Sequence, residues 1–84
     1  MYSIFIKPSA IKELKKLPEK NQSKVFQTIH QLELYPRPIG GKKLKGSEHR
    51  WRIRIGDYRI LYELNTDTKT VEIFRILHRK DVYR

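Results

Sequence analysis

The stretch RWRIRIGDYRILYEL, from Arg50 to Leu64, decides the fold. Its first six residues alternate strictly, with Arg50, Arg52 and Arg54 on one parity and Trp51, Ile53 and Ile55 on the other. A period of two is the signature of a strand with one face on a core. Gly56–Asp57 then suits a tight turn with glycine at its first central position. A two-residue turn sets the register by counting: Ile55 faces Tyr58, Arg54 faces Arg59, Ile53 faces Ile60 and Trp51 faces Tyr62. Trp51 is therefore expected on the buried side. Arg52, Arg54 and Arg59 crowd together on the other side, where directly opposed like charges destabilise. They can splay into solvent, or they can close on an anion. A guanidinium is planar, permanently charged and able to donate two parallel hydrogen bonds, which suits phosphate.

Further strands and helices follow from the same patterns. Tyr2–Ile6 is short, β-branched and aromatic, and reads as a strand. Ser9 is placed to cap a helix in which Ala10, Ile11, Leu14 and Leu17 recur at helical spacing. Pro18 interrupts that pattern. A second helix is expected from Glu19 to about Leu34, with Val25, Phe26, Ile29 and Leu32 on one face. It stops before Pro36, because the residue preceding a proline is pushed out of the helical region. The segment YPRPIGGKKLKGS reads as loop, with Leu44 its inward anchor. Tyr58–Leu64 and Thr70–Leu77 complete a meander across the turn NTDTK, and HRKDVYR is a tail. The expected fold class is α+β: an N-terminal strand, a helical hairpin, then an antiparallel three-stranded meander. The strands form one sheet with the helices on one face, leaving the other face free.

The chain has 84 residues, and one domain spanning 1–84 is expected. Nineteen Lys and Arg stand against nine Asp and Glu, a formal charge of +10. Seven of the cations, Lys42, Lys43, Lys45, Arg50, Arg52, Arg54 and Arg59, lie in one segment opposed only by Glu48 and Asp57. Clustered basic charge on a small domain points to a polyanionic partner. Absence of cysteine removes disulfides and thiolate metal sites and fits a cytoplasmic location. The N-terminus carries no cleavage pattern, and no apolar run approaches the roughly 20 residues of a membrane span. The acids are scattered without ligand spacing, so neither a metal site nor a cofactor is expected. Near the C-terminus, His78 can titrate near neutrality and Tyr83 supplies a phenol whose ionised form nearby cations would favour.

Taken together, KKLKGSEHRWRIRIGDYRILYEL and the later HRKDVY resemble the RelE/ParE toxin superfamily, and within it the RelE-type mRNA interferases. The resemblance covers nearly the whole chain and lies in the ordered set rather than in any one motif. It implies the toxin of a type II toxin–antitoxin system: a ribosome-dependent endoribonuclease that cuts mRNA in the A site and inhibits translation. Its implied partners are the ribosome, the message and a cognate RelB-like antitoxin, in a hetero-oligomer, with no membrane. Position by position, Arg52 and Arg54 match the family's paired basic residues on the central strand. Arg59 matches the arginine of the Tyr-Arg turn, Arg79 the basic residue after the last strand, and Tyr83 the tyrosine near the C-terminus. His78 stands where several relatives carry histidine. The resemblance gives Arg52, Arg54, Arg59 and Arg79 charge stabilisation, and Tyr83 or His78 the general base. Lys42, Lys43, Lys45, Arg50 and Lys80 are left to contact RNA or ribosome. Relatives often carry lysine where this chain has Arg52 and Arg54, and arginine cannot release a proton near neutral pH. The competing readings are a ParE-like toxin that acts on gyrase and a non-catalytic RNA- or ribosome-binding module.

Overall fold

In the computed structural model, which describes residues 1–38 and 40–82, the alternating stretch becomes the strand next to one edge of a five-stranded sheet, and its hairpin partner the central one. The elements are β1 (Ser3–Ile6), α1 (Pro8–Lys15), α2 (Glu19–Gln31), β2 (Lys42–Lys43), β3 (Arg50–Ile55), β4 (Tyr58–Asn65), β5 (Thr70–His78) and α3 (Arg79–Val82). The strand order is β1-β5-β4-β3-β2. β1 runs parallel to β5, and every other pairing is antiparallel.

The β3–β4 hairpin has the expected register, with Ile55 opposite Tyr58, Arg54 opposite Arg59 and Trp51 opposite Tyr62. Gly56 takes φ +56°, the left-handed conformation that a side chain disfavours and this turn requires. The core-facing residues of the strands pack under the helices. Ile53, Ile60, Tyr62, Leu64, Val71, Ile73 and Ile76 meet Ala10 and Leu14 of α1, Val25 and Ile29 of α2, and Leu32. Among the described residues the opposite face carries no helix and is the free face expected from the sequence.

Several local expectations change. Lys42–Lys43 pair with Arg52 and Trp51 as a two-residue edge strand inside the segment read as loop. Two residues are too few for any periodicity, and the pairing comes from the neighbouring strand. Pro8, not Ser9, opens α1 at its first position, where the missing N–H is no loss. Phe26 is 52% exposed. Val25, Ile29 and Leu32 form the buried stripe, and Phe26 sits one residue, about 100°, away from it. Trp51 has the expected parity but is only partly buried, packed against the edge of the core opposite the exposed Lys43. The tail begins with the short helix α3.

The alternation of β5 breaks once. Leu61 faces Arg75 while Tyr62 faces Ile73, so Phe74 is an extra residue in the pairing. This bulge puts both Ile73 and Ile76 on the core side. Beyond Ile6, β1 no longer covers the edge of β5. There Glu13 of α1 accepts the Ile76 N–H at 2.9 Å, a group the sheet leaves open, and also Arg75 Nε–H at 3.1 Å. No helix among the described residues is long and apolar enough to cross a membrane.

Candidate functional site

On the free face the hairpin register brings the arginines together. Arg54 is directly opposite Arg59, and Lys42 is opposite Arg52. With Gly40 they line a groove of about 210 Å³. Arg59 is 9% exposed and is the one charged residue within the buried set of the described chain. Its Nη1 donates to the Tyr58 carbonyl at 3.1 Å and to the Gly56 carbonyl at 3.5 Å. Arg54 Nε donates to the same Gly56 carbonyl at 3.2 Å. The turn therefore aims a carbonyl at both guanidinium groups and eases their repulsion without neutralising either.

Among the described residues, Arg52, Arg54, Arg59 and Lys42 have no ion pair. Burying a charge without a counter-charge is costly, and an anion entering the groove removes that cost. The rigid forks of Arg54 and Arg59, held by the turn, can each give two parallel donors to one phosphate.

Arg79 reaches the other side of this turn. Its N–H donates to the Asp57 carbonyl at 2.7 Å, and its Nε lies 3.7 Å from Asp57 Oδ1. Its side chain is half exposed at the same end of the sheet as Arg54 and Arg59. His78 goes elsewhere. It pairs with Tyr58, on the helix-covered side, and the two rings meet edge-on with centroids 5.3 Å apart. It lines a groove with Glu13, Lys16 and Leu17, and its Nδ1 accepts the Lys80 N–H at 3.2 Å. The bulge is the cause: a one-residue shift exchanges the faces of every residue beyond it. Tyr83 lies outside the described residues.

The expected RNA contacts also divide. Lys42 lines the arginine groove. Lys43, the next residue, is on the other face, its Nζ 5.8 Å from the Trp51 ring centroid. Lys45 is exposed in the loop before β3, and Lys80 is exposed on α3. Arg50 shares the free face but is engaged, 3.9 Å from Glu63 Oε2 and 5.0 Å from the Phe74 ring. Gly40 and Arg37 were not singled out by the sequence; both lie in the proline- and glycine-rich loop. That loop is pinned by Tyr62, a fully buried ring whose hydroxyl donates to the Pro36 carbonyl at 2.7 Å. Burial pushes the Tyr62 hydroxyl up to about 12, an effect Arg37 partly offsets. It stays protonated and donating at neutral pH. No group of three or more His, Cys, Asp or Glu able to hold a metal ion occurs among the described residues.

The class of protein is given by comparison: the chain matches the family model of the ParE toxin of type II toxin–antitoxin systems, parDE, over residues 4–83. The chain belongs to that family. It is 33% identical to the putative toxin RelE1 of Methanocaldococcus jannaschii, covering 99% of this chain and 96% of the relative. The fold superposes on the archaeal RelE–RelB complex from Pyrococcus horikoshii with TM-score 0.85 at 28% identity, covering 95% of this chain and 97% of that one. For the toxin–antitoxin complex RelBE2 of Mycobacterium tuberculosis the TM-score is 0.81 at 31% identity, with 93% and 98% covered.

Proposed function

We propose that this toxin is a ribosome-dependent endoribonuclease that cuts mRNA in the A site and so inhibits translation. The observation that carries the reading is the buried, unpaired Arg59 facing Arg54 across the hairpin, with Arg52 and Lys42 in the same groove. The groove takes the scissile phosphodiester. The adjacent ribose 2′-hydroxyl attacks phosphorus, the bond to the 5′-oxygen breaks, and the products carry a 2′,3′-cyclic phosphate and a 5′-hydroxyl. Arg54 and Arg59 stabilise charge building on the phosphoryl oxygens, Arg52 assists, and Arg79 approaches from the turn. His78, on the opposite face, is poorly placed as a base, which leaves that role to Tyr83. The ribosome orients the message, so the free protein is a feeble nuclease. A RelB-like antitoxin in a hetero-oligomer is the expected partner, as in the complexes from P. horikoshii and M. tuberculosis.

The test is a translation reaction with purified ribosomes. Cleavage of the message only when ribosomes are present, lost in Arg54→Ala and in Tyr83→Phe while ribosome binding persists, supports the reading. The matching family model bears the ParE name, which favours as second reading a toxin acting on gyrase. Gyrase-linked DNA breaks with intact messages would establish that one instead. Loss of binding and cleavage in equal measure would reduce the protein to a binding module.

A further inference from the structure

Back to back with the arginine groove, across the edge strand β2, lies a larger cavity that the proposed chemistry does not use. It has a volume of about 520 Å³ and is lined by Arg37, Lys43, Glu48, His49, Trp51, Leu64 and Thr66. That size is within the roughly 300–1,000 Å³ of small-molecule sites. Its floor is Trp51, whose indole is only partly buried, with the exposed Lys43 directly opposite it on β2. Its rim is cationic, with Arg37 on the loop pinned by Tyr62 and Lys43 over the indole. Arg37 and Lys43 form no ion pair among the described residues.

We propose that this cavity is a second RNA site, in which a base of the single-stranded message, flanking the segment in the arginine groove, stacks on Trp51 while Arg37 and Lys43 hold its phosphates. An aromatic platform with cations beside it is how sequence-tolerant single-strand sites are built. Lys43 is an exposed, flexible chain that can swing from the ring to a phosphate. Glu48 and His49 can meet the edge of the base, as recognition of splayed-out RNA bases requires. The two grooves open on opposite faces of the same sheet edge: Lys42 and Arg52 face one, Lys43 and Trp51 the other, in two neighbouring pairs. A strand leaving the arginine groove over the β2 edge arrives at Trp51. The commitment to RNA rests on the function proposed above.

Trp51 is the only tryptophan, so its fluorescence reports on this cavity alone. The full chain is titrated with a short single-stranded oligoribonucleotide, 2′-O-methylated to prevent cleavage, and with an abasic ribose-phosphate oligomer of equal length. Saturable quenching by the first and not the second is expected. Arg37→Ala should flatten the log–log salt dependence by about 0.7, and Arg52→Ala should shift the quenching curve to higher RNA concentration. Trp51→Leu, read with a labelled oligomer, should weaken binding about fivefold or more; Arg37→Ala, on an exposed loop, serves if that variant fails to fold. No quenching, equal quenching by the abasic oligomer, unchanged curves in Arg37→Ala or Arg52→Ala, or quenching by an acidic peptide but not by RNA each overturns the proposal. Quenching without ribosomal cleavage retains this site and removes the nuclease reading. Cleavage without quenching does the reverse.

Discussion

The free face of the sheet has two ends built from the same strands, and they treat charge in opposite ways. At one end a cross-strand row runs Arg50, Glu63, Glu72, Phe5. Arg50 lies 3.9 Å from Glu63, and Lys7 lies 3.7 Å from Glu72. At the other end Arg54 faces Arg59, with Arg52 and Lys42 beside them, and none of these four is in an ion pair among the described residues. Carboxylates are therefore present on this very face, with Glu63 two pleats from Arg59 along β4. Their exclusion from the groove is placement and not scarcity. The paired end looks like any solvated sheet surface, where such pairs are worth about 0–1 kcal/mol. The unpaired end gives up even that, and an anion is what restores it.

The largest effect expected from this contrast is catalytic. Arg59→Ala should lower ribosome-dependent cleavage by about 100- to 1,000-fold, the loss typical of one charge-stabilising donor. Glu63→Gln, at the paired end, should leave cleavage within about threefold. Cleavage assays on programmed ribosomes decide this. Equal losses at both ends would mean that the groove has no privileged role.

Next comes the device that sets which residues face which way. Glu13 holds the N–H of Ile76 and Nε of Arg75 where β5 bulges. Glu13→Ala leaves that N–H without its acceptor and should destabilise the fold by about 2 kcal/mol in urea unfolding. A loss under about 0.5 kcal/mol would show that the bulge holds without its clamp.

The bulge also marks how far the sequence could be read. The alternation from Arg50 to Ile55 and the Gly56–Asp57 turn fix the hairpin register by counting, and that register alone predicts Arg54 beside Arg59. It equally contains Arg50 opposite Glu63. The pairing of β5 is not set locally. An unbroken β5 counted from Asn65–Thr70 would carry His78 to the free face; the extra Phe74 sends it to the helix side. Nothing in VEIFRILH announces this, because the break is chosen by how Ile73 and Ile76 pack and by a carboxylate from a distant helix. The edge strand β2 and the exposure of Phe26 were hidden for the same reason: each depends on what a neighbouring element covers.

A smaller effect concerns the loop that carries Gly40 to the groove. Tyr62→Phe removes the bond to the Pro36 carbonyl and should cost about 1 kcal/mol at neutral pH. Burial raises the Tyr62 hydroxyl from 10.0 to about 12 in the folded chain. The unfolded chain thus releases this proton first. The associated stability is complete below pH 10 and falls away as pH climbs toward 12. Thermal melts from about pH 8 to about 11.5 should show the gap between wild type and Tyr62→Phe narrowing at the alkaline end. A constant gap would mean that the hydroxyl is not held as described.

The smallest effect tests whether the paired end can be converted into the other. In Glu63→Gln the nearest carboxylate to Arg50 is gone, while its stacking against Phe74 at 5.0 Å remains. Arg50 then has the same standing as Arg52, exposed to the free face with no counter-charge, and it can take a phosphate. Each phosphate contact on a single strand adds about 0.7 to the log–log salt slope. Binding of an uncleavable oligoribonucleotide should therefore tighten slightly at low salt and become steeper in salt by about that amount. An unchanged slope would show that neutrality at this end is set by more than one carboxylate, with Glu72 in the next position across the sheet taking up the charge that Glu63 released.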